Sequence, residues 1–153
     1  MPEVGGVPGP GGRLSDIHLT GPLDETTTLS AETDGIRSVV FFLRSSTCAI
    51  CLGHARNLIA MKASGELGEA RVLAVTPGGA READTVQSRL RSEALSVFAS
   101  GDGHAAVGLG KFLTLQHSGT FVLDADGTIL SARTATIPTG SFSKDEVKAA
   151  LAA

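Results

Sequence analysis

The chain reads as one α/β domain: a mixed sheet of about five core strands, helices on both faces and an N-terminal β-hairpin. Three observations point there. Strand-length apolar stretches at residues 39–43, 71–75 and 95–98 alternate with segments of helical spacing. Two late strand-like runs flank Asp124-Ala125-Asp126-Gly127, a sequence suited to a hairpin turn. Two cysteines, the only ones in 153 residues, stand three apart where the longest apolar run gives way to a helix.

The elements follow in order. Residues 1–13 are dominated by Gly and Pro with almost nothing to bury, so a flexible lead-in is expected, with the folded domain over 14–153. Residues 17–20 and 26–29 read as short strands around Gly21-Pro22. Val39-Val40-Phe41-Phe42-Leu43, between Arg37 and Arg44, is the pattern of a central strand buried on both faces. Leu52, Ala55, Leu58 and Ile59 then keep helical spacing until Ser64-Gly65. Residues 71–75 form the next strand, stopped by Thr76-Pro77-Gly78-Gly79. Ala83, Val86 and Leu90 mark one face of a helix, 95–98 a third core strand and 104–112 a short helix. Residues 120–123 and 128–130 make the closing hairpin, and Ser143 with Glu146 forms a capping box for a C-terminal helix.

Composition narrows the function. A net charge of −3 with scattered basic residues gives no electrostatic case for nucleic acid, and six Phe without Trp or Tyr supply few stacking platforms. No apolar run approaches the roughly 20 residues needed to cross a bilayer. The start of the chain lacks a signal-peptide pattern, so a cytoplasmic protein in a reducing compartment is expected. There, a C-x-x-C pair points to redox chemistry or metal binding more than to a permanent crosslink.

Cys48 at a helix N-terminus would meet unpaired N–H groups and the positive end of the helix dipole, both of which favour a thiolate. Cys51, one turn on, would be placed to form a disulfide with it. The same pair suits reduction of a peroxide or of a disulfide, and the spacing does not choose between them. Thr47 is either a hydroxyl donor to the thiolate or substrate, or the helix N-cap. Arg44 either lowers the thiol pKa and orients a peroxide, or is a solvated strand-end residue. His54 shares the helix face of Cys51 and, with Cys48 and a distant His117, makes a metal site an alternative.

The entry hairpin, the strand–C-x-x-C–helix segment, residues 97–110 and the 118–129 hairpin together resemble the thioredoxin-fold redoxins. The likeness is to the alkyl hydroperoxide reductase/thiol-specific antioxidant, or peroxiredoxin-like, group. That resemblance implies a thioredoxin-like fold and an antioxidant oxidoreductase in which Cys48 reduces peroxide and Cys51 resolves it as an intramolecular disulfide. It implies an external thiol or thioredoxin-like reductant, no cofactor, and is compatible with a homodimer. A thioredoxin-like protein-disulfide oxidoreductase and a non-catalytic metal-binding or redox-sensing protein are the alternatives. The chain departs from the family at informative places. Arg44 stands near the usual Pro, Thr47 directly precedes Cys48, and His117-Ser118 occupies the place of the Arg before the closing hairpin. Arg133 is the candidate to replace that Arg in substrate binding.

Overall fold

The computed structural model describes residues 8–112 and 115–152. Seven strands make its centre: β1 (His18–Thr20), β2 (Thr26–Thr28), β3 (Ser38–Phe42), β4 (Arg71–Thr76), β5 (Ser96–Ala99), β8 (Ser118–Leu123) and β9 (Ile129–Ala135). They form one sheet in the order β2-β1-β5-β4-β3-β8-β9. β3, β4 and β5 run parallel, while β1 and β8 join them antiparallel on either side. The fold is thus the mixed thioredoxin-like sheet expected, with the entry hairpin extending one edge and β9 the other. A separate two-stranded ribbon pairs β6 (Lys111–Phe112) with β7 (Leu115–Gln116).

β3 explains the layering. All five of its residues are buried, because alternate side chains enter two different cores. Val39 and Phe41, followed by Leu43, pack under α2 (Ala49–Ala63), α3 (Ala80–Leu90) and α5 (Lys144–Ala152). Val40 and Phe42 face Leu29 of α1 (Leu29–Thr33), Phe121 of β8, and Val107 and Leu109, which follow α4 (Gly103–Ala106). Phe42 makes edge-to-face contacts with Phe121 at 5.7 Å and with the His104 ring at 5.0 Å.

Several local expectations change. Leu29 opens α1 rather than ending a strand, because Thr28 Oγ1 accepts from the Ala31 N–H and caps the turn. The helix expected over 104–112 lasts one turn. Gly108 adopts a φ of 91°, and Leu109 turns inward with its N–H donating to the His104 carbonyl. The second arm of the closing hairpin runs well beyond residue 130, to Ala135. Of the expected lead-in, residues 1–7 lie outside the described residues. Gly11 and Gly12 exchange backbone hydrogen bonds of 2.9 Å with Ile129.

Phe42→Ala is expected to cost about 3–5 kcal/mol of stability, since it empties the layer between β8 and the His104 ring. Urea unfolding of the two proteins measures it.

Candidate active site

Where β3 ends, the chain faces a hydrogen-bonding problem. The Leu43 N–H donates to the Val75 carbonyl at 2.8 Å, continuing the parallel ladder with β4. The same register assigns the Leu43 carbonyl to the N–H of residue 77, which is Pro77 and has none. His104 supplies the missing donor. Its Nε2 donates to the Leu43 carbonyl at 2.8 Å, so its Nδ1 is the acceptor, at 2.7 Å, of the Ser100 hydroxyl. Burial holds this imidazole neutral and pushes its pKa down to about 4, against the opposing pull of the Leu43 carbonyl. Sequence reading gives His104 no such role. Its one local signal is a Ser and a His four residues apart after an apolar strand.

Residues 44–48 then turn into α2. Cys48 is the N-cap residue, and its Sγ accepts the Cys51 N–H at 3.3 Å. Sulfur takes the place that Ser, Thr or Asp oxygen usually fills, so the capping role open to Thr47 in the sequence belongs to Cys48. Thr47 itself is exposed beside it. Cys48 is 4% exposed and Cys51 fully buried, and both are free thiols.

The two thiols are driven apart in acidity. Burial pushes Cys48 up, but hydrogen bonds from the Cys51 side chain and N–H, together with the Arg44 guanidinium, outweigh it and hold its pKa below the ordinary value. Cys51 is raised far above, first by burial and then by serving as proton donor to Cys48. The backbone N–H of Arg44 also donates to Cys51 Sγ at 3.3 Å. Arg44 therefore touches both sulfurs, one through its main chain and the other through its charge. Its buried Nε has no hydrogen-bond partner.

The other candidates lie elsewhere. Arg133 is held by Glu146 of α5, its Nε 3.0 Å from the carboxylate, and reaches the Gly140 carbonyl, so it ties β9 to α5. His54 Nε2 donates to the Pro138 carbonyl at 2.9 Å, and its ring packs between Phe41 and Phe142. His117 lies 3.3 Å from Thr136 Oγ1. Among the described residues no three His, Cys, Asp or Glu side chains gather as metal donors. Ser118, at the place of the family Arg, is fully buried, and its hydroxyl lacks a partner.

No protein-family model and no curated protein matches the chain. Solved structures do. Peroxidoxin BcpB from Mycobacterium tuberculosis superimposes with a TM-score of 0.76 at 17% identity, over 94% of this chain and 96% of that one. Reduced Prx3 from Vibrio vulnificus in complex with H2O2 gives 0.75 at 18% identity, over 93% and 97%. A secreted M. tuberculosis disulfide oxidoreductase, described as homologous to Escherichia coli DsbE, gives 0.61 at 17% identity, over 89% and 94%. The likeness shows the fold, a thioredoxin-like α/β domain. Among the described residues no helix is long and apolar enough to cross a membrane.

His104 makes stability depend on pH. An unfolded histidine titrates near 6.5, whereas folded His104 stays neutral to about 4. As pH falls through that window the unfolded state takes the proton first, so stability drops; above about 6.5 the contribution is flat. Wild type is expected to lose about 2 kcal/mol more than His104→Asn between pH 7 and pH 5, measured by urea unfolding.

Proposed function

We propose that the protein is a thiol-dependent peroxide reductase working through Cys48 and Cys51. The observation that carries this reading is the geometry that divides the pair in acidity: a capped, Arg44-assisted thiol whose pKa is lowered, beside a buried thiol whose pKa is raised. The fold it shares with peroxidoxin BcpB and Prx3 supports the same reading.

In the first step the Cys48 thiolate attacks one peroxide oxygen. The S–O bond forms, the O–O bond breaks, and Cys48 becomes a sulfenic acid while an alkoxide or hydroxide departs. That strong base can take the Cys51 proton, which the substrate-free site holds firmly. Freed as a thiolate, Cys51 attacks the sulfenic sulfur, forms the disulfide and expels hydroxide. One helical turn separates the two Cα atoms by about 5–6 Å, within the span of a disulfide. Two equivalents of external thiol, or a thioredoxin-like reductant in the cytoplasm, restore the pair by exchange. Arg44 steadies the thiolate and is placed to orient the peroxide, with the Thr47 hydroxyl at the exposed rim.

A second reading, protein-disulfide reduction, is favoured by Ile50, which is 44% exposed between the two cysteines and gives a partner protein an apolar contact. Insulin reduction with a regenerating reductant tests it, and a rate equal to the no-enzyme control eliminates it.

For peroxide reduction, Cys48→Ser should bring stopped-flow hydrogen peroxide consumption to background. Cys51→Ser should retain a single turnover and accumulate a sulfenic acid that dimedone traps; retention of full turnover by Cys48→Ser would refute the mechanism. Arg44→Gln should move the pH profile of Cys48 alkylation by iodoacetamide upward. On the acidic side of that profile the variant should react more slowly than wild type, roughly tenfold for each tenfold loss of thiol acidity.

A further inference from the structure

Next to Arg44 the surface opens into a cavity of about 620 Å³, which neither cysteine lines and which meets the thiol pair through Arg44 alone. Hydrogen peroxide needs on the order of two water volumes, ~60 Å³, whereas cavities of ~300–1,000 Å³ are the size that holds an organic molecule. Its walls are Arg44, Lys111, Asp102, Pro77, Ala105 and Leu109. Glycines keep it open: a Cβ built on Gly101 or Gly110, both in the lining, would meet nothing within 4 Å. Gly101 also crosses Gly78 through two backbone hydrogen bonds of 2.8 and 3.3 Å, which fixes one wall. Gln116, also in the lining, donates from Nε2 to the carbonyls of Leu109 and Gly110.

Neither cation of this cavity is paired with a carboxylate among the described residues. Lys111 is exposed and forms no ion pair with a described residue, and the Arg44 Nε is buried without an acceptor. Two cations thus face one exposed carboxylate, Asp102. Arg44 also belongs to the thiol site, so a molecule in the cavity lies against the reactive sulfur's own cation.

We propose that this cavity binds the carboxylate of a small organic reactant of the thiol pair, with Lys111 and Arg44 as its cationic partners and Pro77 and Ala105 as its apolar wall. The inference rests on the peroxide-reducing reading. Two reactants have this chemistry: a carboxylate-bearing organic hydroperoxide, which oxidises Cys48 as above, and a carboxylate-bearing thiol. The thiol would act on the oxidised protein. Its thiolate attacks Cys48 Sγ, the bond to Cys51 breaks, and Cys51 leaves and takes up a proton. A second thiol then cleaves the mixed disulfide and releases Cys48.

An inert probe separates binding from chemistry. In an NMR titration of the reduced protein, 4-isopropylbenzoate should bind about tenfold more tightly than 4-isopropylbenzamide and shift the amides of Gly101 and Gly110. Lys111→Gln should cut that preference about threefold, and Asp102→Asn should raise it, opposite movements that general damage would not produce. Equal binding of acid and amide, shifts confined to other residues, or variants that move together would overturn the proposal. Two kinetic arms then name the source. A preference for 4-carboxycumene hydroperoxide over cumene hydroperoxide identifies the oxidant; a preference for 3-mercaptopropionate over 2-mercaptoethanol in reducing the disulfide identifies the reductant. Neither preference, despite tight binding of the acid, would sever the cavity from the thiols and overturn the proposal. If no peroxide is consumed at all, the peroxidase reading fails, while the probe titration and the thiol arm still decide the cavity.

Discussion

The carbonyl of Leu43 is the constraint on which the rest is built. It lies where a strand buried on both sides stops, beyond reach of water, and its ladder partner is a proline. Leaving such an acceptor unpaired costs about 1–3 kcal/mol. One buried imidazole resolves it, and in doing so fastens the end of β3 to the segment after β5. Arg44 is the next residue and Cys48 follows four later, so the same bond fixes the origin of the reactive turn. The histidine is no acid or base for the thiols. It is a neutral brace whose charge would be expelled from the core.

From that fixed point, geometry and electrostatics reinforce one another. Arg44 cannot move its main chain without releasing the Cys51 sulfur, nor its side chain without releasing Cys48. Burial alone would leave both thiols protonated. The directed N–H of Cys51 and the nearby guanidinium act on one of them only, and the other becomes the proton store. Two chemically identical side chains, three residues apart, thereby acquire opposite shifts in acidity. That division arises within residues 44–51, at a site without the Pro and Arg of the redoxins that the sequence resembles.

The periodic parts of the molecule are readable in the sequence. β3, α2, α3 and the closing hairpin declare themselves through burial patterns and turn residues that act over a few positions. So do Cys48, Cys51 and Arg44, because strand, turn and helix dipole are all local. What stays hidden depends on partners far along the chain. His104 is 61 residues from the carbonyl it satisfies. Arg133 looks available in one dimension, but Glu146 of α5 holds it, just as the Pro138 carbonyl claims the ring nitrogen of His54. The short helix after Asp102 ends early because Leu109 gains more by entering the second core than by continuing the spiral. One of the two roles open to Thr47 is a cap, because oxygen caps are the rule; here a sulfur one residue later does that work.

A sulfur that caps a helix has a thermodynamic consequence. The hydrogen bond from Cys51 N–H is strongest to a thiolate and weakest to a sulfur that has given up its negative charge. Oxidation of Cys48 therefore removes support from the first turn of α2, and reduction restores it. Stabilising the reduced form relative to the oxidised one raises the reduction potential of the couple. The disulfide would be a comparatively oxidising one, readily surrendered to an incoming thiol. In the proposed dithiol cycle the start of this helix would be a spring, relaxed when the protein is reduced and loaded when it is oxidised, and part of the drive for regeneration would reside in the fold itself.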